Sequence, residues 1–178
     1  MCGKICPRTV KQLFGCIQKG DNIVRYFFVF QNKTFYREKD GGYLWAPDGN
    51  CSHWKLMREI SQGDIIFHSY HRHIVAVSKA ASNCYFANQP NELAVEHLWQ
   101  KDGLKVDSTY CLLPVPLDTK NVMSALLDLQ PTKYAPFNIR GRGNTGYLFN
   151  NSPEMAAFLL TELKQSSQNR QALLSLGL

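Results

Sequence analysis

Tyr26-Phe27-Phe28-Val29-Phe30 is the stretch that decides the fold, because an unbroken run of aromatic and β-branched residues is typical of a buried strand. The polar pair Gln31-Asn32 follows it directly. Farther along, Ile65-Ile66-Phe67-His68 and Ile74-Val75-Ala76-Val77-Ser78 are separated by a basic turn and predict a β-hairpin. Short strands without a regular alternation of strand and helix favour an α+β fold with a curved or barrel-like sheet.

The remaining elements are predicted from periodicity and from turn residues. They are a helix at 53–60, a short helix at 92–99, a strand at 104–115 that ends at its prolines, and helices at 121–129 and 154–164, while Tyr43-Leu44-Trp45-Ala46 falls in the predicted loop between the first strand and the first helix. Residues 131–146 form a predicted loop rich in Gly, Asn and Arg. Ser152 is the expected N-cap of the closing helix.

Length and composition indicate one domain with a real core, since the chain has 178 residues of which 44% are apolar. We expect an N-terminal extension at 1–22, the main domain at 23–165, and a polar tail or linker at 166–178. A formal net charge of +6 and a pI near 9.0 favour a polyanionic partner. No stretch approaches the roughly 20 apolar residues of a membrane span, so no membrane partner is expected.

The six cysteines are scattered and form no CxxC pair, and no continuous apolar run of the signal-peptide type follows the basic residues Lys4, Arg8 and Lys11. This pattern favours free thiols in a reducing cytoplasm. A zinc site built from Cys2, Cys6, Cys16 and a histidine is the weaker alternative.

Motifs of stand-alone catalysis are missing from the sequence, which has no HExxH, GxSxG, Walker or Rossmann glycine pattern. His71-Arg72-His73 has the spacing of a metal pair on a strand, but it lies in the predicted hairpin turn, where a solvated basic loop is favoured. We therefore expect a chain that is not an enzyme by itself and that uses neither a cofactor nor a metal.

Base capture is the chemistry that the residues favour instead. Aromatic side chains occur next to the predicted turns, where each can stack on a base for roughly 1–3 kcal/mol. Gln31-Asn32 and His68-Ser69 both lie at strand ends, so their polar groups are expected at one mouth, where they can read the edge of a base.

A family resemblance rests on motifs in a fixed order. These are Phe28-Val29-Phe30-Gln31-Asn32-Lys33-Thr34, Gly42-Tyr43-Leu44-Trp45-Ala46-Pro47, His53-Trp54, Gly63-Asp64-Ile65-Ile66-Phe67-His68, Pro136-Phe137-Asn138 and Gly143-Asn144-Thr145-Gly146-Tyr147-Leu148-Phe149. From Tyr26 to about Leu163 the chain resembles the EVE-type domains found at the front of modification-dependent HNH restriction endonucleases. These domains belong to the PUA-like superfamily that includes YTH domains.

The resemblance implies a small β-barrel flanked by short helices that binds double-stranded DNA carrying a modified base. The base, 5-methylcytosine or 5-hydroxymethylcytosine, would be flipped into an aromatic cage. Trp45 matches one cage wall, and Tyr85 or Phe86 matches the second, with Trp99 a weaker candidate. An HNH nuclease domain would be the linked effector, and the setting would be the bacterial cytoplasm, at the nucleoid when DNA is bound.

The expected site residues fall into two groups. The base-binding group is Gln31, Asn32, Tyr36, Trp45, His68, Ser69, Tyr85 and Phe86. The phosphate-binding group is Lys33, Arg72, Arg140, Arg142 and Asn144, in which the planar arginine fork suits phosphate oxygens. Two alternatives stay open: a reader of modified RNA or of N6-methyladenine in DNA, and a small metal-dependent nuclease that uses His68, His71 and His73.

Overall fold

The computed structural model of the protein describes residues 23–49, 52–93 and 102–178. The extension at 1–22 with its three cysteines, most of the helix predicted at 92–99, and Trp99 lie outside the described residues. The elements in chain order are β1 Tyr26–Phe30, α1 Phe35–Gly41, β2 Tyr43–Pro47, α2 Ser52–Lys55, β3 Ile65–Tyr70, β4 His73–Ala80, β5 Tyr85–Asn88, β6 Asp102–Asp118, α3 Met123–Leu129, β7 Leu148–Asn151, α4 Pro153–Leu163 and α5 Ser167–Leu173. Short 3-10 turns follow α2, β5, β6 and α5.

The strands form one curled mixed sheet in the order β2-β6-β4-β3-β1-β7, and β5 pairs with β6 beside that path. β1 and β3 run parallel, with Phe28 opposite Phe67, while the other pairings are antiparallel. The predicted hairpin of β3 and β4 is confirmed, as is the α+β fold with a small barrel flanked by short helices.

Alternation along β1 divides the core into two layers. Phe28 packs with helix residues such as Leu126 and Leu159 on one side of the sheet. Phe27 and Val29 point to the other side, into a cluster enclosed by the curled strands. Burial of each large apolar side chain contributes about 1.5–3 kcal/mol, so the aromatic run holds both layers together.

The strand predicted at 104–115 is longer than expected, because β6 continues past its prolines to Asp118. Its register with β4 shifts between Ala76, opposite Leu112, and Ile74, opposite Leu117. Proline is tolerated at such a bulge because no ladder hydrogen bond is required of it there.

Residues 166–178 were expected as a polar tail, but they pack on the domain. Asn169 of α5 accepts a hydrogen bond from the Val115 N–H at 3.0 Å and donates one to the Val115 carbonyl at 2.8 Å. Leu173 and Leu176 are buried in the helix-side core. The polar face seen in the sequence is therefore only the solvent side of a docked helix.

Candidate functional site

A cavity of about 590 Å³ opens where three connecting segments meet. These segments are the turn between β3 and β4, the turn after β6, and the loop between α3 and β7. We call it the basic cavity and define it by its lining residues, which are Phe30, Asn32, Arg72, Thr119, Lys120, Met123, Phe137, Arg140, Gly141, Arg142, Gly143, Asn144, Thr145 and Gly146. Its size lies within the range of small-molecule sites.

Four cationic side chains, those of Arg72, Lys120, Arg140 and Arg142, line this cavity, and none of its lining residues is acidic. Arg72 also contacts Asp118 at 3.4 Å, but this ion pair is exposed and therefore weak. Like charges gathered at a concave surface raise the local concentration of anions. The basic cavity therefore has the electrostatics of a phosphate site.

Apolar side chains form the inner part of the basic cavity. The rings of Phe30 and Phe137 meet edge to face, with centroids 5.9 Å apart. Gly143 lies directly on Phe30, where an added Cβ would be 3.0 Å from the ring. Met123 lies beneath Gly141, where an added Cβ would be only 2.6 Å from its Cγ. An apolar surface inside a ring of charge suits a planar ligand that carries phosphate.

Two side-chain amides supply directional polar groups. The Asn32 Oδ1 accepts a hydrogen bond from the His71 N–H at 2.8 Å, and the Asn144 Nδ2 donates one to the Ala135 carbonyl at 2.9 Å. Within the described residues, no side chain hydrogen-bonds to the Asn32 Nδ2 or to the Asn144 Oδ1. Amides of this kind can hydrogen-bond the edge of a base.

The turn between β3 and β4 holds Arg72 at the cavity in an unfavourable backbone conformation. His71 and Arg72 have φ angles of 46° and 68°, the left-handed region that favours glycine. The Arg72 carbonyl accepts hydrogen bonds from the Thr119 N–H and hydroxyl. The strain is thus offset by a tie to the end of β6, which keeps the arginine at the site.

The loop at 137–143 is ordered by its own hydrogen bonds. The Asn138 Oδ1 accepts from the N–H groups of Arg140 at 2.9 Å and Arg142 at 3.1 Å. Phe137 and Gly143 form an isolated β-bridge, and Gly141 takes a φ of 70°. Both arginines are thereby held at the cavity by a defined loop.

Trp45 lies away from this cavity and is only 1% exposed. Its Nε1 donates a hydrogen bond to the Ala87 carbonyl at 3.1 Å. Gly103 packs so closely on its ring that an added Cβ would lie 2.3 Å from the Cζ2 atom. In this structure the ring is enclosed, and its role as a cage wall stays a prediction.

The sheet brings Trp45 and the second predicted wall to one face. Trp45 and Tyr85 are both in register with Lys105, on opposite sides of β6. Two strand spacings of ~4.8 Å put them about 10 Å apart along the sheet. Tyr85 donates a hydrogen bond to Asp107 at 3.0 Å, and Phe86 is 67% exposed beneath the Arg58 guanidinium.

Gln31, His68 and Ser69 are buried rather than placed at a mouth. The His68 Nδ1 lies 2.7 Å from the Gln31 Oε1, and the His68 Nε2 lies 2.7 Å from the Ser78 hydroxyl. Burial lowers the pKa of His68 to about 3, so the ring is neutral and its Nδ1–H donates to Gln31. Gln31, His68 and Ser78 form an internal polar network, whereas the buried Ser69 hydroxyl has no partner among the described residues.

Glu38 of α1 completes this network, and the sequence reasoning did not single it out. It accepts hydrogen bonds from Gln31 and from the Tyr147 hydroxyl. Burial raises the pKa of Glu38 to about 8, despite those hydrogen bonds, and its Oε1 has no partner among the described residues. Burial therefore favours the protonated form of Glu38.

Five of the other predicted residues lie at the basic cavity, and two lie outside it. Asn32, Arg72, Arg140, Arg142 and Asn144 meet at the basic cavity. Tyr36 is exposed and packs edge-on against Phe35 and Tyr70, and Lys33 is exposed beside Asn32.

Several cavity residues were not predicted as site residues, among them Phe30, Thr119, Lys120, Met123 and Phe137. Phe30 and Phe137 carried a signal, since each belongs to one of the motifs that support the resemblance. Thr119, Lys120 and Met123 lie in a 3-10 turn and at the start of α3, where the sequence shows no pattern that marks a site.

The histidines considered for metal binding do not converge. His68 is buried in the network, His71 is exposed in the turn, and the His73 Nδ1 lies 2.9 Å from the His71 carbonyl. Across the described ranges, no three His, Cys, Asp or Glu side chains gather as metal ligands.

No helix in the same ranges is long and apolar enough to cross a membrane.

Comparison with known proteins finds structural neighbours but no sequence match. No protein-family model and no curated protein matches the chain. The YTH domain of Zygosaccharomyces rouxii MRB1 protein, in complex with N6-methyladenosine RNA, superposes with a TM-score of 0.52 over 80% of this chain and 88% of that chain, at 10% identity.

Two further neighbours have the same fold. The Pho92 YTH domain in complex with m6A gives a TM-score of 0.51 at 12% identity, over 79% of this chain and 84% of that chain. A mutant ASCH protein from Zymomonas mobilis gives 0.51 at 6% identity, over 78% of this chain and 96% of that chain. The chain therefore has a YTH-like, PUA-like fold.

Proposed function

We propose that this protein is a nucleic-acid reader that holds an extruded, modified base in the basic cavity and grips the adjoining phosphates at its edge. The observation that carries the proposal is the convergence of four cationic side chains on one apolar cavity that also contains two partly unused amides. A flipped base needs stacking surface and edge contacts, while its backbone needs positive charge. The basic cavity offers all three within about 590 Å³.

Each part of the basic cavity has a role in this proposal. Phe30, backed by the buried ring of Phe137, contacts the base, and Asn32 and Asn144 bond to its edge. Arg72, Arg140 and Arg142 hold phosphates, joined by Lys120. No group in the chain has to break a bond, so the proposed role is recognition without catalysis.

For the ligand we propose double-stranded DNA with a modified cytosine, 5-methylcytosine or 5-hydroxymethylcytosine. The resemblance of the motifs between Tyr26 and Leu163 to EVE-type domains supports this choice. The shared fold with YTH domains that were solved with methylated RNA or m6A supports a modified base as the ligand, but not the choice of DNA or of cytosine. A linked HNH nuclease domain would then act on the DNA that this domain selects, in the bacterial cytoplasm at the nucleoid.

The test is binding to a matched set of 5′-labelled duplexes that differ only at one central base: cytosine, 5-methylcytosine, 5-hydroxymethylcytosine or N6-methyladenine. A matched RNA carrying N6-methyladenosine is the fifth probe. We expect the modified cytosines to bind at least tenfold more tightly than cytosine, a difference of ~1.4 kcal/mol. Equal affinity for all the probes would contradict base recognition. Preference for the RNA would show that the ligand is modified RNA and not DNA.

Matched variants locate the site on the protein. Asn144→Ala should reduce the discrimination between probes, because it removes an edge contact. Lys79→Ala, an exposed lysine of β4 away from the basic cavity, should change neither affinity nor discrimination. A loss of discrimination in Trp45→Phe but not in Asn144→Ala would move the base from the basic cavity to the predicted Trp45 cage.

A further inference from the structure

Ile139 is 93% exposed, the largest exposed fraction among the large hydrophobic side chains of the described residues. Isoleucine is among the residues most often buried in folded proteins. A single exposed apolar residue needs no explanation by itself. The position of Ile139 needs an explanation, because this residue lies at the tip of the loop that forms one wall of the basic cavity, between Asn138 and Arg140.

The backbone of this loop is fixed by its own hydrogen bonds. Asn138 accepts hydrogen bonds from the N–H groups of Arg140 and Arg142, and its own N–H donates to the Arg142 carbonyl at 2.9 Å. The Gly141 N–H donates to the Asn138 carbonyl at 2.8 Å. A loop fixed in this way loses little conformational entropy when its tip is inserted into a partner.

Charge identifies the kind of partner that the tip meets. Arg140 and Arg142, on the same loop, both line the basic cavity, whereas Ile139 does not. An apolar tip beside two guanidinium groups fits a surface that is polyanionic outside and apolar within. A base-paired stack has that composition, with phosphates outside and base faces between them.

A protein partner fits these observations less well. A stable protein–protein contact buries on the order of 1,600 Å² around a hydrophobic centre. Ile139 is one side chain flanked by polar and cationic residues, so it offers no such centre.

We propose that Ile139 is a wedge that enters the base stack of a duplex and fills the space left by the base held in the basic cavity. Branched and aromatic apolar side chains separate base steps in this way, and other contacts offset the cost of unstacking. This inference rests on the proposed function and extends it to the substrate class. The wedge is required on a paired duplex and is dispensable where the base is already unpaired.

The experiment measures the binding of wild type, Ile139→Ala and Ile139→Leu to three DNA probes of one sequence. The first is a fully paired duplex with one 5-methylcytosine, the second has an abasic site opposite that base, and the third is the single strand. Because Ile139 is almost fully exposed, its substitution leaves the fold intact. Ile23→Ala is the matched control, since Ile23 is 85% exposed but lies before the far end of β1.

We expect Ile139→Ala to weaken binding to the paired duplex by about tenfold and to change binding to the other two probes by less than about twofold. Ile139→Leu should retain most of the paired-duplex affinity, and Ile23→Ala should match wild type. A 2-aminopurine placed next to the target base should brighten on binding of wild type and much less on binding of Ile139→Ala, because unstacking depends on the wedge.

Other outcomes overturn the inference, and they do so separately from the proposed function. An equal loss on all three probes would make Ile139 an ordinary contact, and no loss on any probe would leave it without a role; in both cases the reader function stands. If wild type bound none of the three probes, the proposed function and the wedge would both be wrong.

Discussion

At the scale of single residues, Glu38 and His68 set opposite pH limits on stability. The pKa of Glu38 is raised from 4.5 to about 8, so the folded state binds more protons than the unfolded state between those values, and stability falls as pH rises through them. The pKa of His68 is lowered from 6.5 to about 3, so stability falls as pH drops below 6.5. The two effects oppose each other between about pH 4.5 and 6.5, where we expect the highest stability.

Glu38→Gln tests this account, because glutamine keeps the shape of the side chain and cannot ionise. We expect the melting temperature of the variant to rise with pH up to about 6.5 and then to stay level, whereas that of wild type should fall between pH 6.5 and 8. Thermal melts from pH 4 to 9 measure the difference. Glu154→Gln, at an exposed position, should follow wild type, and a wild-type curve that is flat above pH 6.5 would contradict the burial argument.

Trp45 gives a second prediction at this scale. Trp45→Ala removes an enclosed ring and a hydrogen bond, so we expect a loss of about 3–5 kcal/mol in the free energy of unfolding. Urea unfolding measures it. Phe86→Ala, at an exposed aromatic of neighbouring β5, should cost less than about 1 kcal/mol. A similarly small loss in Trp45→Ala would show that the ring is free to form a cage.

At the scale of elements, the turn between β3 and β4 places Arg72 at the basic cavity at a cost in the stability of the fold. Arg72→Gly should stabilise the fold by about 1 kcal/mol, because glycine adopts a φ of 68° without strain and the lost ion pair is exposed. The same change should weaken nucleic-acid binding, because a cavity cation is gone. Calorimetry and binding titrations together check the prediction, and a variant that binds as wild type does would remove Arg72 from the site.

One polar side chain of helix α5, that of Asn169, bonds to the backbone at the bulge in β6, while Leu173 packs in the core. Asn169→Ala leaves the N–H and carbonyl groups of Val115 without their partner, so we expect a loss of about 1–3 kcal/mol in the free energy of unfolding. Gln168→Ala, at the exposed neighbouring position, is the control. Equal stability of the two variants would support the polar tail expected from sequence over a docked helix.

Sequence patterns predicted those elements whose signal is local. The aromatic run of β1 and the β3–β4 hairpin carry period and turn chemistry in adjacent residues, and both were predicted correctly. α1, β2, β5, β7 and α5 were missed. The four-residue strands β5 and β7 are too short for a clear period, and both take their structure from pairing with distant strands.

The candidate site divides in the same way. Exposed arginines in loops could be assigned from residue type and turn position, and three of them do meet at the basic cavity. The burial of a given side chain could not be predicted, because it depends on which distant segments of the chain pack over that side chain. Trp45 and His68 carry the residue types of a base pocket, yet packing from other elements encloses both.

At the scale of the whole molecule, the net charge of +6 predicts that the affinity for nucleic acid falls as the salt concentration rises. Four phosphate contacts at the basic cavity should give a plot of log K against log salt concentration with a slope of about −3 to −4. Arg142→Ala should make that slope shallower by about 0.9, while Lys79→Ala should leave it unchanged. Binding titrations at salt concentrations between about 50 and 300 mM measure this slope. A slope near zero would mean that phosphates are not the ligand.

The place of β1 between β3 and β7 has a consequence for biosynthesis. β3 is complete at Tyr70, but β7 is not made until Asn151. At ~5–20 residues per second the nascent chain therefore exposes an apolar strand edge for roughly 4–16 s. Such an edge can pair with another chain, so translation speed and chaperone supply become determinants of yield. A ribosome stalled between these two strands would hold the protein at its most aggregation-prone length.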